Sequence, residues 1–399
     1  MVEIIRGLSR FPLPSGPPPR QEVALFAPWR PLIHPPPPVQ TSAHVRFEKR
    51  DEFHDELQRR IAAYFEERGL SRFGGIRLLT KSVMIGLWLV ASYLLLVFSP
   101  VPLWGAALLA ASLGAAMAAV GFNITHDANH DSFSRNKWVN LVMSHTMDLI
   151  GGSSYVWRIK HNVIHHTYTN IAGLDDDINL YPWGRLAPGQ RRLKLHRIQT
   201  FYIWPLYGML GIKWHFDDVL TAITGKVSGQ KIRRPDGMEL ACLVIGKALF
   251  FGWALVLPMV AGHAWWAVLL TYLFTEFVMG VVMSLTFQLA HCVEEAQFFP
   301  PPLTADEGKF QSWARHQIET TVDFAPRNFF LTWYMGGLNY QIEHHLFPRI
   351  SHIHYPKIAP IVRQVSAEFG VRYTAHRSFV RALFSHVRWL HRMGRPEAA

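Results

Sequence analysis

The sequence predicts an all-α integral membrane protein, with four transmembrane helices in two hairpins and a helical cap on the cytoplasmic side. Three observations predict it. Apolar residues make up 49% of the 399 and gather in long runs that alternate with polar, histidine-rich stretches, a membrane pattern rather than a globular one. Four of those runs, at 82–99, 103–122, 239–261 and 265–290, come close to or exceed the roughly 20 residues a bilayer crossing requires. Finally, the runs pair through short turns, Ser99-Pro100-Val101-Pro102 and Gly262-His263-Ala264, that hold no Lys or Arg, whereas the long central segment holds many, among them Arg135, Arg158, Lys160, Arg191 and Arg233. Basic residues mark cytoplasmic loops, so both termini and the central segment are expected inside and the two turns outside. The same rule, with anionic lipid headgroups, accounts for the formal charge of +11 without invoking nucleic acid.

In chain order, residues 1–45 form a Pro-rich arm, with Pro17-Pro18-Pro19 and Pro35-Pro36-Pro37-Pro38 and no periodic apolar pattern. That composition favours an extended, poorly ordered segment. No apolar core follows Arg6, so it is not read as a secretory signal. Residues 46–80 form a lead-in, in which charges at 51–68 alternate with Leu57, Ile61, Tyr64 and Phe65 as in an amphipathic helix. The membrane and catalytic unit is expected at 81–365. Within it, 141–150 is short and contains His145 and Asp148, and 201–216 is interrupted by Pro205; both read as helices lying in the interface rather than spans. Residues 366–399 read as a basic C-terminal tail. Cys242 and Cys292 have no CxxC spacing, so neither a disulfide framework nor a zinc finger is indicated.

Chemistry is concentrated in histidine clusters. His126-Asp127-Ala128-Asn129-His130 follows the second run, His161-Asn162-Val163-Ile164-His165-His166 lies in the central segment, and Gln341-Ile342-Glu343-His344-His345 lies near the C-terminal side. His291 ends the fourth run. Residues four apart share a helix face, so His126 and His130 can point at one ion, and so can His161 and His165, with His166 turned towards a second. Gln341, His344 and His345 sit at i, i+3 and i+4, again on one face. Eight imidazoles suffice for two metals, and imidazole suits Fe, Zn and Cu. Asp127, Asp131 and Glu343 lie within the clusters and are the candidates for orienting ligands through the second ring nitrogen. The run Asp175-Asp176-Asp177 reads as a solvated loop, with orientation of a ligand histidine as its alternative. His145, His263, His316, His352 and His354 read as ordinary polar or loop histidines. The orientation derived from Lys and Arg places all four ligand sources on one side of the membrane.

These residues resemble the membrane fatty acid desaturases with their three histidine boxes. His126 to His130, the stretch 161–171, and the stretch 337–348 that contains Gln341, His344 and His345 are similar to the front-end branch, which places a double bond between an existing one and the carboxyl end. The resemblance covers roughly 81–365. It implies a cone of four spanning helices under a cytoplasmic cap. It also implies a centre of two Fe2+ ions held by the box histidines and His291, with O2 as co-substrate. Gln341 stands where many desaturases have His, as in the front-end branch, and can bind iron through its amide oxygen. In acyl-CoA desaturases an Asn precedes the isolated His by one turn; here that position is Phe287, with Gln288 beside it.

The reaction so implied removes two hydrogens from adjacent unactivated methylenes of a lipid-linked or CoA-linked fatty acyl chain. Alkyl C–H groups are not acidic enough for a side-chain base, so the metals must be redox-active, which excludes zinc. No GxGxxG fingerprint, iron–sulfur cysteine set or His-Pro-Gly-Gly haem motif occurs in the 399 residues, so a separate ferredoxin, or cytochrome b5 with its reductase, is the expected electron donor. A membrane hydroxylase or ketolase would use the same ligands. A metal transporter is the rival of another class, but transporters place ionisable groups near mid-membrane, where these runs hold almost none besides Lys247 and Glu276.

Overall fold

A computed structural model describes residues 45–48, 51–227, 229–300, 309–310 and 312–396. The expected Pro-rich arm lies outside the described residues. The described residues are mostly helical, with irregular stretches such as 169–193 and three strand pairs of two residues each.

Four helices are long and apolar enough to cross a membrane: Gly75–Phe98, Leu103–Asn129, Gly237–Val260 and Trp265–His291. The two short turns join them pairwise, as their shortness suggested. The first span begins at Gly75 rather than at residue 82. Arg77 and Lys81 sit in its first turns: Arg77 is exposed, where a long basic side chain reaches headgroups, whereas Lys81 is buried with its Nζ 3.0 Å from His352 Nε2. The second runs on to Asn129 because its α-helix passes into a π-helical turn, Gly121–Thr125, instead of ending. Outward-facing leucines, valines and phenylalanines such as Leu87, Phe98, Leu108, Val244 and Val260 stay exposed, which in water would be untenable and in lipid is required. Trp104, Trp265 and Trp266 are exposed at the two turns, where an aromatic belt meets the interface.

The second span is the centre of the bundle, packed along both the first and the fourth. Small residues allow the approach: a Cβ on Gly114 would lie 2.5 Å from the Thr275 carbonyl of the fourth span. Gly280 on the fourth span lies equally close to Gly208 at the end of the helix Gln199–Gly208, which contains Pro205. That helix and Leu210–Thr224 take the place of the expected interfacial segment at 201–216 and pack on the fourth span. Lys137–Ser144 and Thr146–Leu149 replace the segment at 141–150, and Trp138, Val142 and Leu149 remain exposed, as an interfacial helix requires.

The cap covers the end of the bundle opposite the turns. The lead-in helix, Glu52–Glu67, starts at Asp51, whose side chain accepts from the Phe53 amide. It buries Phe53, Leu57, Ile61 and Phe65, four apart, against Ile358, Val362 and Val365 of the helix Tyr355–Glu368. Arg60 donates to Glu368 at 2.8 Å across that seam. The C-terminal stretch is not a loose tail. Phe379–Gly394 is an amphipathic helix that buries Trp389, Leu390 and Met393 against Leu186, Ile203 and Tyr207.

One glycine pair locks cap to bundle. Gly336 and Gly337 adopt φ of +56 and +68, and a Cβ on Gly336 would stand 2.3 Å from the Phe122 carbonyl, beside the π turn. Gly336→Ala should therefore destabilise the protein by about 1–3 kcal/mol, from the left-handed backbone and the clash together. A lower melting temperature in detergent checks this; an unchanged one contradicts the close approach.

Candidate metal centre

The second span positions the first histidine cluster. Its π turn ends at Thr125, and the helix continues through His126 to Asn129, delivering His126 and His130 at the mouth of the bundle. Asn123 within the turn donates to the carbonyls of Ala119 and Tyr334, so this irregular backbone is tied to the cap. The second cluster lies on another π-helical segment, Arg158–His165. Such turns are rare and favour functional sites. The third lies on the short helix Gln341–Leu346, and His291 is the last residue of the fourth span.

All eight histidines converge, and each is at most 5% exposed. Ligand nitrogens of His126, His130, His161 and His344 lie within 4.8 Å of one another, as do those of His165, His291 and His345. His166 stands between the two groups, within the same distance of His344 and His345. The Nε2 atoms face inward: His166 to His344 is 3.0 Å, His126 to His344 3.2 Å, and His166 to His161 3.3 Å. Gln341 Nε2 lies 3.0 Å from His291 Nε2 and 3.4 Å from His345 Nε2, so its amide belongs to the second group.

The ligand sets overlap rather than divide cleanly. His161 falls with the first group and His165 with the second, yet these two also come within 4.8 Å of each other together with Asp177, as their shared helix face suggested. The π-helical winding, which pairs i with i+5, also brings His166 Nε2 to 3.3 Å from His161 Nε2. Adjacent His344 and His345 fall in different groups, their ring planes 84° apart, yet both lie with His166, so the third cluster bridges the groups.

Outward nitrogens are held by acceptors, which fixes the tautomers. Both carboxylate oxygens of Asp175 lie 3.1 Å from His165 Nδ1. Gln317 Oε1 lies 2.7 Å from His345 Nδ1, and the Thr320 carbonyl 3.3 Å from His291 Nδ1. Since these partners only accept, the Nδ1 atoms carry the protons and the Nε2 atoms present lone pairs inward. Tyr355 Oη stands 3.3 Å from His344 Nδ1, and the Trp157 ring stacks on His161 at 4.3 Å.

Electrostatics agree with the geometry. Burial first, then the neighbouring imidazoles, push His130, His161, His166, His344 and His345 well below the usual histidine range. They are neutral, the form that binds metal. Burial also works to lower His165, but Asp175 and Asp177 outweigh it and raise its value. Inward lone pairs 3 Å apart repel unless a cation lies among them, and His130 Nε2 is buried without any hydrogen-bond partner. The residues fit a pair of metal ions.

The acidic candidates divide differently from expectation. Asp175, in the run read as a solvated loop, is 1% exposed and is the carboxylate that orients a histidine. It also accepts from the backbone N–H groups of Asn170 and Asp177. Asp127 lies 3.9 Å from His126 Nδ1 and binds Ser351 at 2.7 Å and His352 Nδ1 at 3.0 Å more closely. Its main contact is thus with the cap. Glu343 faces away from the histidines, in a buried carboxyl pair with Asp323 beneath Tyr373 Oη at 3.0 Å. Burial and the partner carboxyl raise Glu343 well above its usual range and leave Asp323 at about 6. Asp131, at φ +55, acts electrostatically on Arg72, Arg158 and Arg349. Gln288 donates to the Asp177 carbonyl at 3.3 Å, while Phe287 packs edge-on to Phe122. Gln317, Thr320 and Tyr355 escaped sequence reasoning because nothing local marks a residue that acts on a distant histidine. Asn170 also escaped it; it donates to the carbonyls of His291, Gln297 and Thr320.

The chain matches the profile of the fatty acid desaturase family over residues 100–377, well over half its length. It belongs to that family. Among similar proteins, the sn-1 linoleoyl-lipid 6-desaturase of Arthrospira platensis is 40% identical over 357 residues, 89% of this chain and 96% of the relative. The protein of the same description from Synechocystis sp. is 38% identical, over 89% and 99%. The acyl-lipid (8-3)-desaturase of Physcomitrium patens is 35% identical, over 87% of this chain and 72% of its own. This desaturase is thus an oxidoreductase acting on fatty acyl chains in a membrane. The three histidine clusters, picked out by spacing, and His291, picked out by its place at the end of the fourth run and by the resemblance, lie together as a concentrated site of buried ligand nitrogens among the described residues.

Proposed function

We propose that this desaturase uses two iron ions and O2 to introduce a cis double bond into a lipid-linked acyl chain, on the carboxyl side of an existing one. The carrying observation is the convergence of eight buried imidazoles in two groups with inward Nε2 atoms. His126, His130, His161 and His344 would hold one ion. His165, His291 and His345, with the Gln341 amide, would hold the other, and His166 stands between them. Iron, when bound, supplies with O2 the oxidising power that an unactivated methylene demands and no side-chain acid or base possesses. The chain's own part is to keep the ligands neutral, fix their tautomers through Asp175, Gln317 and Thr320, and exclude water by burial.

The lipid-linked reading rests on the relatives' names, which specify linoleoyl-lipid and acyl-lipid substrates. We place the site, and both ends of the chain, on the cytoplasmic side by the Lys and Arg distribution. There the basic cap can receive an external ferredoxin or cytochrome b5. A cavity of about 330 Å³ between the spans, lined by Leu113, Met117, Thr271, Tyr272 and Glu276 among others, gives room for the distal part of the acyl chain.

Expression in a host fed defined polyunsaturated acids, with double-bond positions read by mass spectrometry, tests the reading. A new bond on the carboxyl side supports it; an added hydroxyl on the same chain overturns it. Gln341→Leu should reduce bound iron from two towards one per chain, because it removes a ligand from the second group alone; unchanged stoichiometry would show that Gln341 is not a ligand. Thr271→Trp should shift acceptance towards shorter acyl chains by filling the cavity, and an unaltered product spectrum would place the chain elsewhere.

A further inference from the structure

A second polar site lies away from the histidines, on the cap at the level of the membrane. A pocket of about 570 Å³ is lined by Pro326, Arg327, Arg363, Tyr373, Ala375, His376 and Arg377, with no carboxylate among them. Arg327, Arg363 and Arg377 are exposed, and none has a carboxylate within 4 Å among the described residues. Three cations facing one concavity repel each other, so the arrangement favours an anion.

Its construction is deliberate at the backbone. Asp323–Phe324 pairs in parallel with Ala375–His376, so both chains leave the pair at the same end, and each then presents an arginine, Arg327 or Arg377. Arg363 comes from the helix Tyr355–Glu368, its guanidinium 4.8 Å from the Tyr373 ring. Tyr373 forms the floor, its Oη within hydrogen-bond reach of the buried carboxyls of Asp323 and Glu343.

The surroundings name the ligand. Beyond Arg327 the chain runs straight into Phe329 and Phe330, 71% and 82% exposed. Beyond Arg377 it runs into Val380 and Phe384, also exposed. The helix Phe329–Tyr334 lies against the spans, since Tyr334 Oη donates to the Ala115 carbonyl and its ring meets Trp88, so Phe329 and Phe330 are set beside the apolar surface of the bundle. Positive charge at the rim with aromatic side chains immediately below matches one kind of molecule, with an anionic phosphate above and acyl chains beside it. A soluble phosphate carrier would have no use for the exposed phenylalanines. We propose that Arg327, Arg363 and Arg377 form a binding site for the phosphate headgroup of an anionic phospholipid. The inference concerns binding and does not depend on which lipid is desaturated.

The test uses full-length protein in neutral detergent, titrated with phosphatidylglycerol or phosphatidylcholine and read by native mass spectrometry. The wild type should retain phosphatidylglycerol preferentially. R327Q/R363Q/R377Q should weaken that retention roughly a hundredfold, at about fivefold per cation. The charge-matched R191Q/K194Q/R197Q should leave it unchanged. R327Q alone, at an exposed position, should weaken it severalfold and keeps the proposal testable if the triple variant folds poorly. Equal loss in the charge-matched variant would reduce the effect to bulk attraction and overturn the site. So would displacement of phosphatidylglycerol by equimolar coenzyme A or inorganic phosphate, which would make it a soluble-phosphate site, and so would undiminished retention in R327Q/R363Q/R377Q.

Discussion

His345→Ala is expected to abolish product while leaving the protein folded in the membrane. His345 is fully buried, and its ligand nitrogen belongs with His165 and His291 and also with His166 and His344. One truncation therefore removes a donor from the second group and a close neighbour of His166 and His344, which link it to the first. Losing only a residue that orients a ligand typically costs 10–100-fold in metal affinity or activity; losing this one should exceed that, with bound iron falling in parallel. Gln317, whose Oε1 lies 2.7 Å from His345 Nδ1, would lose that partner, so some stability is lost too. His196→Ala supplies the comparison. That imidazole is equally buried but is bonded to the Pro182 carbonyl and the Leu193 amide, remote from the centre. It should lower stability and keep its iron. Equal iron loss in both variants would mean that any buried histidine matters alike, and the ligand assignment would fail.

Asp175→Asn carries the second large effect. The carboxylate grips His165 Nδ1 with both oxygens, sets the tautomer and raises the basicity of the ligating nitrogen. The amide keeps the shape and loses the charge. Iron retention under a chelator, and turnover with it, should fall roughly 10–100-fold. Asp176→Asn, at the very next residue but paired with Lys160 at 2.5 Å, should alter turnover by no more than about twofold. Similar behaviour of the two variants would return the acidic run to the status of a solvated loop.

The contrast between those neighbours shows what the chain discloses and what it withholds. The four spans, their pairing and the seven clustered histidines were legible because apolar length and a repeated His spacing are local features, whereas His291 was marked by its place at a span end and by the family resemblance. The amphipathic lead-in was legible for the same reason, through Leu57, Ile61 and Phe65. Sorting the histidines between two groups was not. It depends on a π-helical winding at 158–165, which brings His166 beside His161, and on the opposed directions of His344 and His345, neither of which a spacing of 3.6 residues per turn specifies. Asp175 was hidden because three consecutive aspartates ordinarily signal solvent, and only the fold buries the first of them. Glu343 failed in the opposite sense: its place inside a histidine cluster suggested a ligand partner, yet helix geometry turns it towards Asp323 and Tyr373. The C-terminal helix was concealed by its arginines, which lie on the exposed face while Trp389 and Leu390 pack inward.

The central claim is that imidazoles from four separated stretches jointly cage two iron ions. Iron K-edge absorption spectroscopy on the purified protein, with iron counted per chain in the same sample, tests it most directly. The account expects two irons per chain in a first shell dominated by imidazole nitrogen, lost together in His345→Ala. A single iron, or a shell of sulfur or carboxylate oxygen, would contradict it.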